Sequence, residues 1–268
     1  MSSFANKTVV ITGGSEGIGK ALVEAFLSKG AKVATCGRNF DKLYDLQSHH
    51  AGEPLLIHTA DVSKEIDCKN FINQVIKSFG TIDILINNAG ISMRSHFIDV
   101  DLSTIRRVMD VNFGGVINTT KYALPYILKN KGSVVAVSSI AGYRGLPGRV
   151  GYSASKFALN GFMEALRTEL LDTGVNVIWV CPGFTASNIR NVALNKDGLP
   201  QGESPLEEKK LMPAEVCAEY ILRAIEKRKR TLVLTANGKQ TVFLNKFFPA
   251  LTDRIVKMFF YKNGELVK

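Results

Sequence analysis

The sequence has little cysteine, histidine or tryptophan: four, four and one among 268 residues. Cys36, Cys68, Cys181 and Cys217 are scattered without paired spacing, which excludes a disulfide framework and points to reduced, buried thiols. His49, His50, His58 and His96 show no ligand spacing, so no metal is expected. Nowhere do eighteen apolar residues follow one another, so no spanning helix is expected. A strand-like segment begins at Lys7 with no secretion signal before it, and the expected location is cytoplasmic. Internal repeats and low-complexity linkers are also missing. Acidic residues are in deficit, and the net charge is +10. The excess is uneven: Ile221 to Lys268 holds eleven Lys/Arg against three Asp/Glu, a surplus of eight. The rest of the chain is near neutral, and no nucleic-acid partner is expected.

What is present is an ordinary globular composition, 46% hydrophobic and 22% charged, in a chain long enough for one large domain. Apolar runs at Thr8–Ile11, Lys32–Cys36, Leu55–Thr59, Ile82–Ile86, Ser133–Val137, Asn176–Cys181 and Thr231–Leu234 read as strands. Amphipathic segments such as Ile18–Ser28, Glu65–Phe79 and Pro213–Lys229 read as helices between them. This alternation predicts an α/β fold: one Rossmann-type, doubly wound parallel sheet of about seven strands with helices on both faces. A single domain spans 1–268. Within it the polar stretch 184–212, with Gly198, Pro200, Gly202 and Pro205, breaks the alternation and reads as a substrate lid.

Two motifs carry chemistry. Gly148 to Leu171 reads as a helix, so Tyr152 and Lys156, four apart, share a face. An ammonium beside a phenol lowers the phenol's pKa from about 10 and makes it a usable proton donor and acceptor. Upstream, the strand ending at Ser138-Ser139 places hydroxyls at the ligand side of the sheet. The second motif follows the first strand: Thr12-Gly13-Gly14-Ser15-Glu16-Gly17-Ile18-Gly19. Gly13 permits a tight turn, Gly17 lets backbone N–H groups approach a phosphate, and Gly19 lets the next helix pack closely. A dinucleotide pyrophosphate is expected at that helix N-terminus. The second strand ends in Cys36-Gly37-Arg38-Asn39, with an Arg and no acid where a ribose 2′-substituent would be read. NADP(H) is therefore expected over NAD(H). Asn39 reads as a helix cap with Asp41 in the first turn; the alternative for Arg38 is stacking on adenine without selecting either cofactor.

These residues resemble the short-chain dehydrogenase/reductase family over nearly the whole chain. Thr12–Gly19 is similar to its cofactor turn, Asp61-Val62 to its adenine-binding pair, and Asn87-Asn88-Ala89-Gly90 to its fourth-strand motif. Asn112, Ser139, Tyr152 and Lys156 match its catalytic tetrad, the spacing of thirteen to Tyr152 selecting Ser139 over Ser138. Pro182-Gly183 matches the turn beneath the nicotinamide. Thr185 and Ser187 follow it, Ser187 standing where a Thr usually contacts the carboxamide. The nearest branch holds 11-beta-hydroxysteroid dehydrogenases and related membrane-associated reductases of lipid ketones, acyl-dihydroxyacetone-phosphate reductase among them. Two departures are visible: no N-terminal anchor, and Glu16 where many NADP-preferring members are basic.

The resemblance implies hydride exchange between nicotinamide and a ketone or secondary alcohol. Tyr152 would be the proton donor, Ser139 would hydrogen-bond the reacting oxygen, Lys156 would lower the phenol pKa and hold the ribose, and Asn112 would position a relay water. Tyr152, Lys156, Asn88, Ala89 and Gly90 thus also belong to the cofactor site. Met93, Ile140, Tyr143, Leu146 and Phe184 are the expected substrate pocket, suited to a bulky apolar ketone. A 3-oxoacyl-thioester reductase is the enzymatic alternative and a dinucleotide-sensing module the non-enzymatic one. A homodimer or homotetramer is implied, through faces within Asn112–Tyr126 and Ser153–Leu170. The segment 238–268 forms a basic amphipathic extension: after Pro249, Leu251, Ile255 and Met258 share a helical face. With Lys227–Arg230 upstream, it predicts either a peripheral membrane contact or a wall of the pocket or interface.

Overall fold

A computed structural model describes residues 3–267. Seven parallel strands form one sheet in the order β3-β2-β1-β4-β5-β6-β7. They are β1 (Thr8–Thr12), β2 (Lys32–Gly37), β3 (Leu55–Thr59), β4 (Ile84–Asn87), β5 (Ser133–Val137), β6 (Asn176–Cys181) and β7 (Thr231–Val233). The expected fold is therefore the observed one, and strand order reverses between β1 and β4, where the α/β rule places a ligand.

Helices α1 (Gly17–Ser28), α2 (Phe40–His49) and α3 (Glu65–Phe79) follow the first three strands. Next come α4 (Leu102–Met109) and α5 (Gly115–Asn130), joined by a π-helical turn at Asp110–Gly114. Helices α6 (Val150–Glu169) and α7 (Ala214–Glu226) complete the crossovers. The strands read as unbroken apolar runs because both sheet faces are covered. Val134 and Ala136 of β5 enter the core under α3, α5 and α6, while Val135 and Val137 enter the core under α1 and α7. Fully buried Phe71 and Phe26 anchor the two sides, each contributing about 1.5–3 kcal/mol through burial. All four cysteines are buried. Among the described residues, no group of three His, Cys, Asp or Glu is placed to hold a metal, and no helix is long and apolar enough to cross a membrane.

Two regions go beyond the alternating pattern. Residues 184–212 form an irregular strap with a single 3-10 turn at Glu208–Lys210, tied to the body through the bridge Met93–Leu194 and closed at its base by the bridge Thr185–Met212. After β7 come α8 (Ala236–Phe247), α9 (Pro249–Phe260) and a small hairpin of β8 (Tyr261–Lys262) and β9 (Glu265–Leu266). This tail folds back over the carboxyl ends of β5 and β6. Gly238 meets Ile140, Asn245 Nδ2 donates to the Tyr143 carbonyl at 2.9 Å, and Phe259 stacks on Phe184. Helix α9 turns Thr252, Val256 and Phe260 inward, so the apolar face predicted from Leu251, Ile255 and Met258 is the one left exposed. The Lys227–Arg230 cluster does not join it. Arg228 donates to the Lys131 and Gly174 carbonyls at the amino ends of the strands, whereas the tail starts at their carboxyl ends.

Candidate active site

The turn after β1 is shaped by two glycines. Gly13 has φ +70°, and a Cβ there would lie 2.9 Å from Ala89 Cα. A Cβ on Gly19 would fall 2.0 Å from the Gly13 carbonyl oxygen, so α1 can start this close to the turn only without a side chain. Thr12 locks the turn to the end of β4: its Oγ1 accepts from the backbone N–H of Asn88 and Ala89, and Asn88 Nδ2 donates to the carbonyls of Thr12 and Gly13. No side chain caps the N-terminus of α1. Its leading N–H groups therefore point into the groove without a protein acceptor, as an anion site requires. Ser15, Glu16 and Gly17 rim this groove together with Lys42, whose Nζ pairs with Glu16 Oε1 at 2.7 Å. Ile18 packs beneath it on the core side.

Arg38 is exposed at the end of β2. Asn39 caps α2 by accepting from Lys42 N at 3.0 Å, as its sequence position suggested. Asp61 sits across from Arg38. Partial burial opposes its ionisation, but the Ser63 hydroxyl and N–H, helped by Arg38, hold its carboxyl below the usual range. Val62 is buried against Gly115, and its carbonyl accepts from Asn118. These residues fit a dinucleotide lying across β1, β2 and β4. On the far side, Gly183 is pressed against Thr235, Thr185 is buried, and Ser187 lies over Gly17. The strap is therefore closed across the groove, with Pro182 at its root. Its latch is Arg190, which binds Glu208 at 2.5 and 2.6 Å and also donates to the Thr185 carbonyl. Arg190 holds the Glu208 carboxyl down at about 2, and Glu208 in turn accepts from Ser187 N.

The tetrad converges at the carboxyl ends of β4 and β5. Asn112 lies in the π-helical turn and is fully buried. Its Nδ2 donates to the Ile91 carbonyl and Ser155 Oγ, and its Oδ1 accepts from Ile91 N at 2.8 Å. Both amide hydrogens are thus committed, and one oxygen lone pair is left to face Gly90 and Lys156. Lys156 Nζ donates to the Val137 carbonyl at 2.9 Å and sits 5.7 Å from the Tyr152 ring centre. Burial pushes Lys156 down to about 8. Ser139 hydrogen-bonds Tyr152, and its Oγ also accepts from Ala141 N.

The electrostatics differ from the simple tyrosine–lysine expectation. Burial pushes the Tyr152 phenol above its ordinary value. Ser139, then Arg149 and Arg190, pull it back without cancelling burial. The fixed cations acting on the phenol are thus two arginines that spacing analysis passed over. Arg149 had one signal: it occupies the N-cap of α6, the end where the helix dipole disfavours a cation.

Of the expected pocket residues, three meet the tail: Ile140 lies against Gly238, the Tyr143 carbonyl accepts from Asn245 and Phe184 stacks on Phe259, while Leu146 N donates to Ser153 Oγ on α6. Tyr143 is oriented by Trp179 Nε1, which donates to its hydroxyl at 3.0 Å. Met93 is fully buried and packed on Gly151.

Comparison with known proteins agrees with this geometry. The family described as short chain dehydrogenase matches residues 7–197. The chain belongs to the short-chain dehydrogenase/reductase family. The mouse dehydrogenase/reductase SDR family member 7B is 32% identical over 260 residues, covering 94% of this chain and 80% of the mouse protein. The 11-beta-hydroxysteroid dehydrogenase A of Arachis hypogaea is 33% identical over 261 residues, covering 94% and 74%. A crystal structure of a short chain dehydrogenase/reductase from Burkholderia phymatum in complex with NAD matches the fold with a TM-score of 0.83 at 24% identity, covering 94% of this chain and 96% of that one. These relatives lie in the branch that the motifs indicated. As a short-chain dehydrogenase/reductase, the chain is an oxidoreductase of CH–OH and C=O groups that works with a nicotinamide dinucleotide.

Proposed function

We propose that this oxidoreductase uses NADP(H) and interconverts a ketone and a secondary alcohol on a bulky, largely apolar molecule of lipid or steroid type. The observation that carries this reading is the convergence of Ser139, Tyr152 and Lys156 beneath an apolar wall made partly by the tail, where Phe259 stacks on Phe184 and Gly238 covers Ile140. The name of the peanut relative, a hydroxysteroid dehydrogenase, supports the substrate class. Arg38, with no acid beside it at the end of β2, supports NADP(H).

When bound, the nicotinamide supplies or accepts the hydride. Tyr152 delivers a proton to the carbonyl oxygen during reduction and removes it during oxidation. Ser139 hydrogen-bonds the same oxygen and stabilises the charge that develops there. Lys156 lies within one helical turn of the phenol and, with a pKa of about 8, exchanges protons near neutrality. Asn112 fixes the Ile91 backbone and offers its remaining lone pair to a relay water. Thr12, Asn88 and Ala89 keep the turn rigid, while Ser187 and Thr185 hold the nicotinamide side.

The test is NADPH consumption with a panel of bulky ketones, run beside Tyr152→Phe. Turnover should vanish in the variant while cofactor affinity stays within about twofold. More than a few per cent residual activity refutes the role given to Tyr152.

The exposed apolar face of α8 and α9 supports a further reading, peripheral contact with an anionic membrane. Phe243, Phe247, Phe248, Leu251 and Met258 are exposed beside Lys239, Lys246, Arg254 and Lys257. Each such cation near anionic lipid contributes about 1 kcal/mol. Full-length protein should co-sediment with anionic vesicles and release as salt rises; indifference at low salt ends this reading. A homodimer or homotetramer through α5 and α6 is supported by exposed Ile117 and Phe157 on those helices, and sedimentation velocity tests it.

A further inference from the structure

The tetrad is assembled from separate elements. Asn112 comes from the π-helical turn before α5, whereas Tyr152 and Lys156 come from α6. Ser155, fully buried on α6, joins them. Its Oγ donates to the Tyr152 carbonyl at 2.7 Å and accepts from Asn112 Nδ2 at 3.0 Å. A serine hydroxyl has a single hydrogen and two lone pairs. That hydrogen is committed inside α6, to the carbonyl three residues back. Towards Asn112, Ser155 can therefore only accept, and the atom it meets must be a donor.

The other contacts of the Asn112 amide run to a different part of the fold. Ile91, in the segment after β4, donates its N–H to Asn112 Oδ1 at 2.8 Å and accepts from Nδ2 at 2.9 Å. Ile91 thus sets which end of the amide is oxygen. Ser155 takes the second Nδ2 hydrogen and sets how the amide is turned towards α6. The consequence is read at Gly90. A Cβ there would lie 3.2 Å from Asn112 Oδ1 and 3.7 Å from Lys156 Nζ, so the amide oxygen and the ammonium flank one point. Lys156 Nζ is itself held on the Val137 carbonyl at 2.9 Å, so the aim of the amide decides whether the two stay opposed. Without the Ser155 hydroxyl, one Nδ2 hydrogen would be left without its acceptor in a fully buried place, which is unfavourable. The amide is planar, so any turn of Nδ2 towards another acceptor carries Oδ1 with it.

We propose that Ser155 is a positioning residue of the reaction: its hydroxyl fixes the Asn112 amide so that Oδ1 is presented beside Lys156, and it holds the π-helical turn in register with α6. This rests on the reading of Asn112, Tyr152 and Lys156 as the proton-handling groups of a carbonyl/alcohol centre. Ser155 acts through Asn112 and through the Tyr152 backbone. Ser153, two residues earlier, accepts from Leu146 N and serves the segment before α6 instead. The two serines of Tyr152-Ser153-Ala154-Ser155-Lys156 therefore have different tasks.

The test is Ser155→Ala beside Ser155→Thr, which restores a hydroxyl able to reach the same carbonyl. In Ser155→Ala, kcat should fall by about tenfold to a hundredfold, while KM for the ketone and Kd for NADPH stay within about twofold. The solvent deuterium isotope effect on kcat should rise, because the misaimed relay now limits turnover. Ser155→Thr should recover part of the lost kcat. A Ser155→Ala protein that melts earlier but keeps its kcat and its isotope effect shows a purely structural serine and overturns the proposal. A second measurement needs no turnover: hydrogen exchange of the Asn112 side-chain amide, followed by NMR and assigned by its loss in Asn112→Asp. Both hydrogens should exchange slowly in the wild type, and one should exchange at least tenfold faster in Ser155→Ala. Equal exchange in the two proteins overturns the proposal whatever the activity. A wild type that turns over no ketone would sink the oxidoreductase reading alone, and the amide exchange would still decide whether Ser155 holds Asn112.

Discussion

Replacing Lys156 with methionine should make the protein more stable while removing its activity. Lys156 is buried, and its pKa falls from 10.5 to about 8. A shift of that size corresponds to about 3 kcal/mol spent holding the ammonium in place at pH 7. Methionine fills similar space and forgoes the hydrogen bond to the Val137 carbonyl, a loss of about 1 kcal/mol. The net expectation is a cofactor-free Lys156→Met protein about 2 kcal/mol more stable at pH 7. The sign of the pH dependence is opposite to that of a salt-bridged lysine. With the folded pKa depressed, the unfolded chain binds the extra proton between pH 8 and 10.5, so wild-type stability recovers as pH rises through that window. Urea denaturation of both proteins from pH 6 to 10 reads this directly: a gap that is widest below pH 8 and narrows towards pH 10. A variant less stable than wild type at pH 7, or a gap that does not change with pH, refutes the reasoning.

Three other outcomes follow from the geometry. Arg38→Ala should weaken NADPH by about tenfold to a hundredfold and NADH far less; equal losses in fluorescence titrations would show that Arg38 does not read the 2′-phosphate. Glu208→Gln should loosen the strap, seen as faster proteolysis within 184–212 and weaker cofactor binding. In the wild type, the Glu208 contribution is complete above its unfolded pKa of 4.5 and is lost as pH falls towards 2, so the difference in melting temperature between the two proteins should shrink over that range. Deleting 238–268 should leave a folded sheet that binds cofactor but turns over bulky ketones at least tenfold less well, because the wall over Ile140 and Phe184 is gone. Unchanged kcat/KM would mean that the tail covers the pocket without shaping it.

The sheet was legible because each strand is buried on both faces and so reads as an apolar run; β3, β5 and β6 have the bounds that the sequence indicated. The glycine turn and the tetrad were legible because backbone constraint and proton chemistry leave few residue choices. The tail was only half legible. Its α9 pattern is real and marks the exposed face, Leu251, Ile255 and Met258, while the face that docks, Thr252, Val256 and Phe260, was not marked by it. Helix α8 and the hairpin of β8 and β9 gave no warning, since their order comes from docking onto Tyr143, Arg144 and Gly148. Arg149 and Arg190 were invisible for a related reason: a charged residue reads as a solvated surface until the fold buries it.

The π-helical turn at Asp110–Gly114 makes this part of the chain sensitive to length more than to composition. The turn inserts one extra residue between α4 and α5, and everything downstream is phased by it. Thr119 and Thr120 meet the Asn87 amide at 2.5 and 3.0 Å only in that phase. Removing any single residue from the turn would restore a regular helix and rotate α5 by about 100°. Asn87 would then be stranded at the end of β4, and Asn112 would swing away from Ile91. A gene bearing such a deletion would differ by one codon and lose both the seam between α5 and the sheet and the geometry of the tetrad, whereas substitutions on the exposed side of the same turn would pass almost unnoticed.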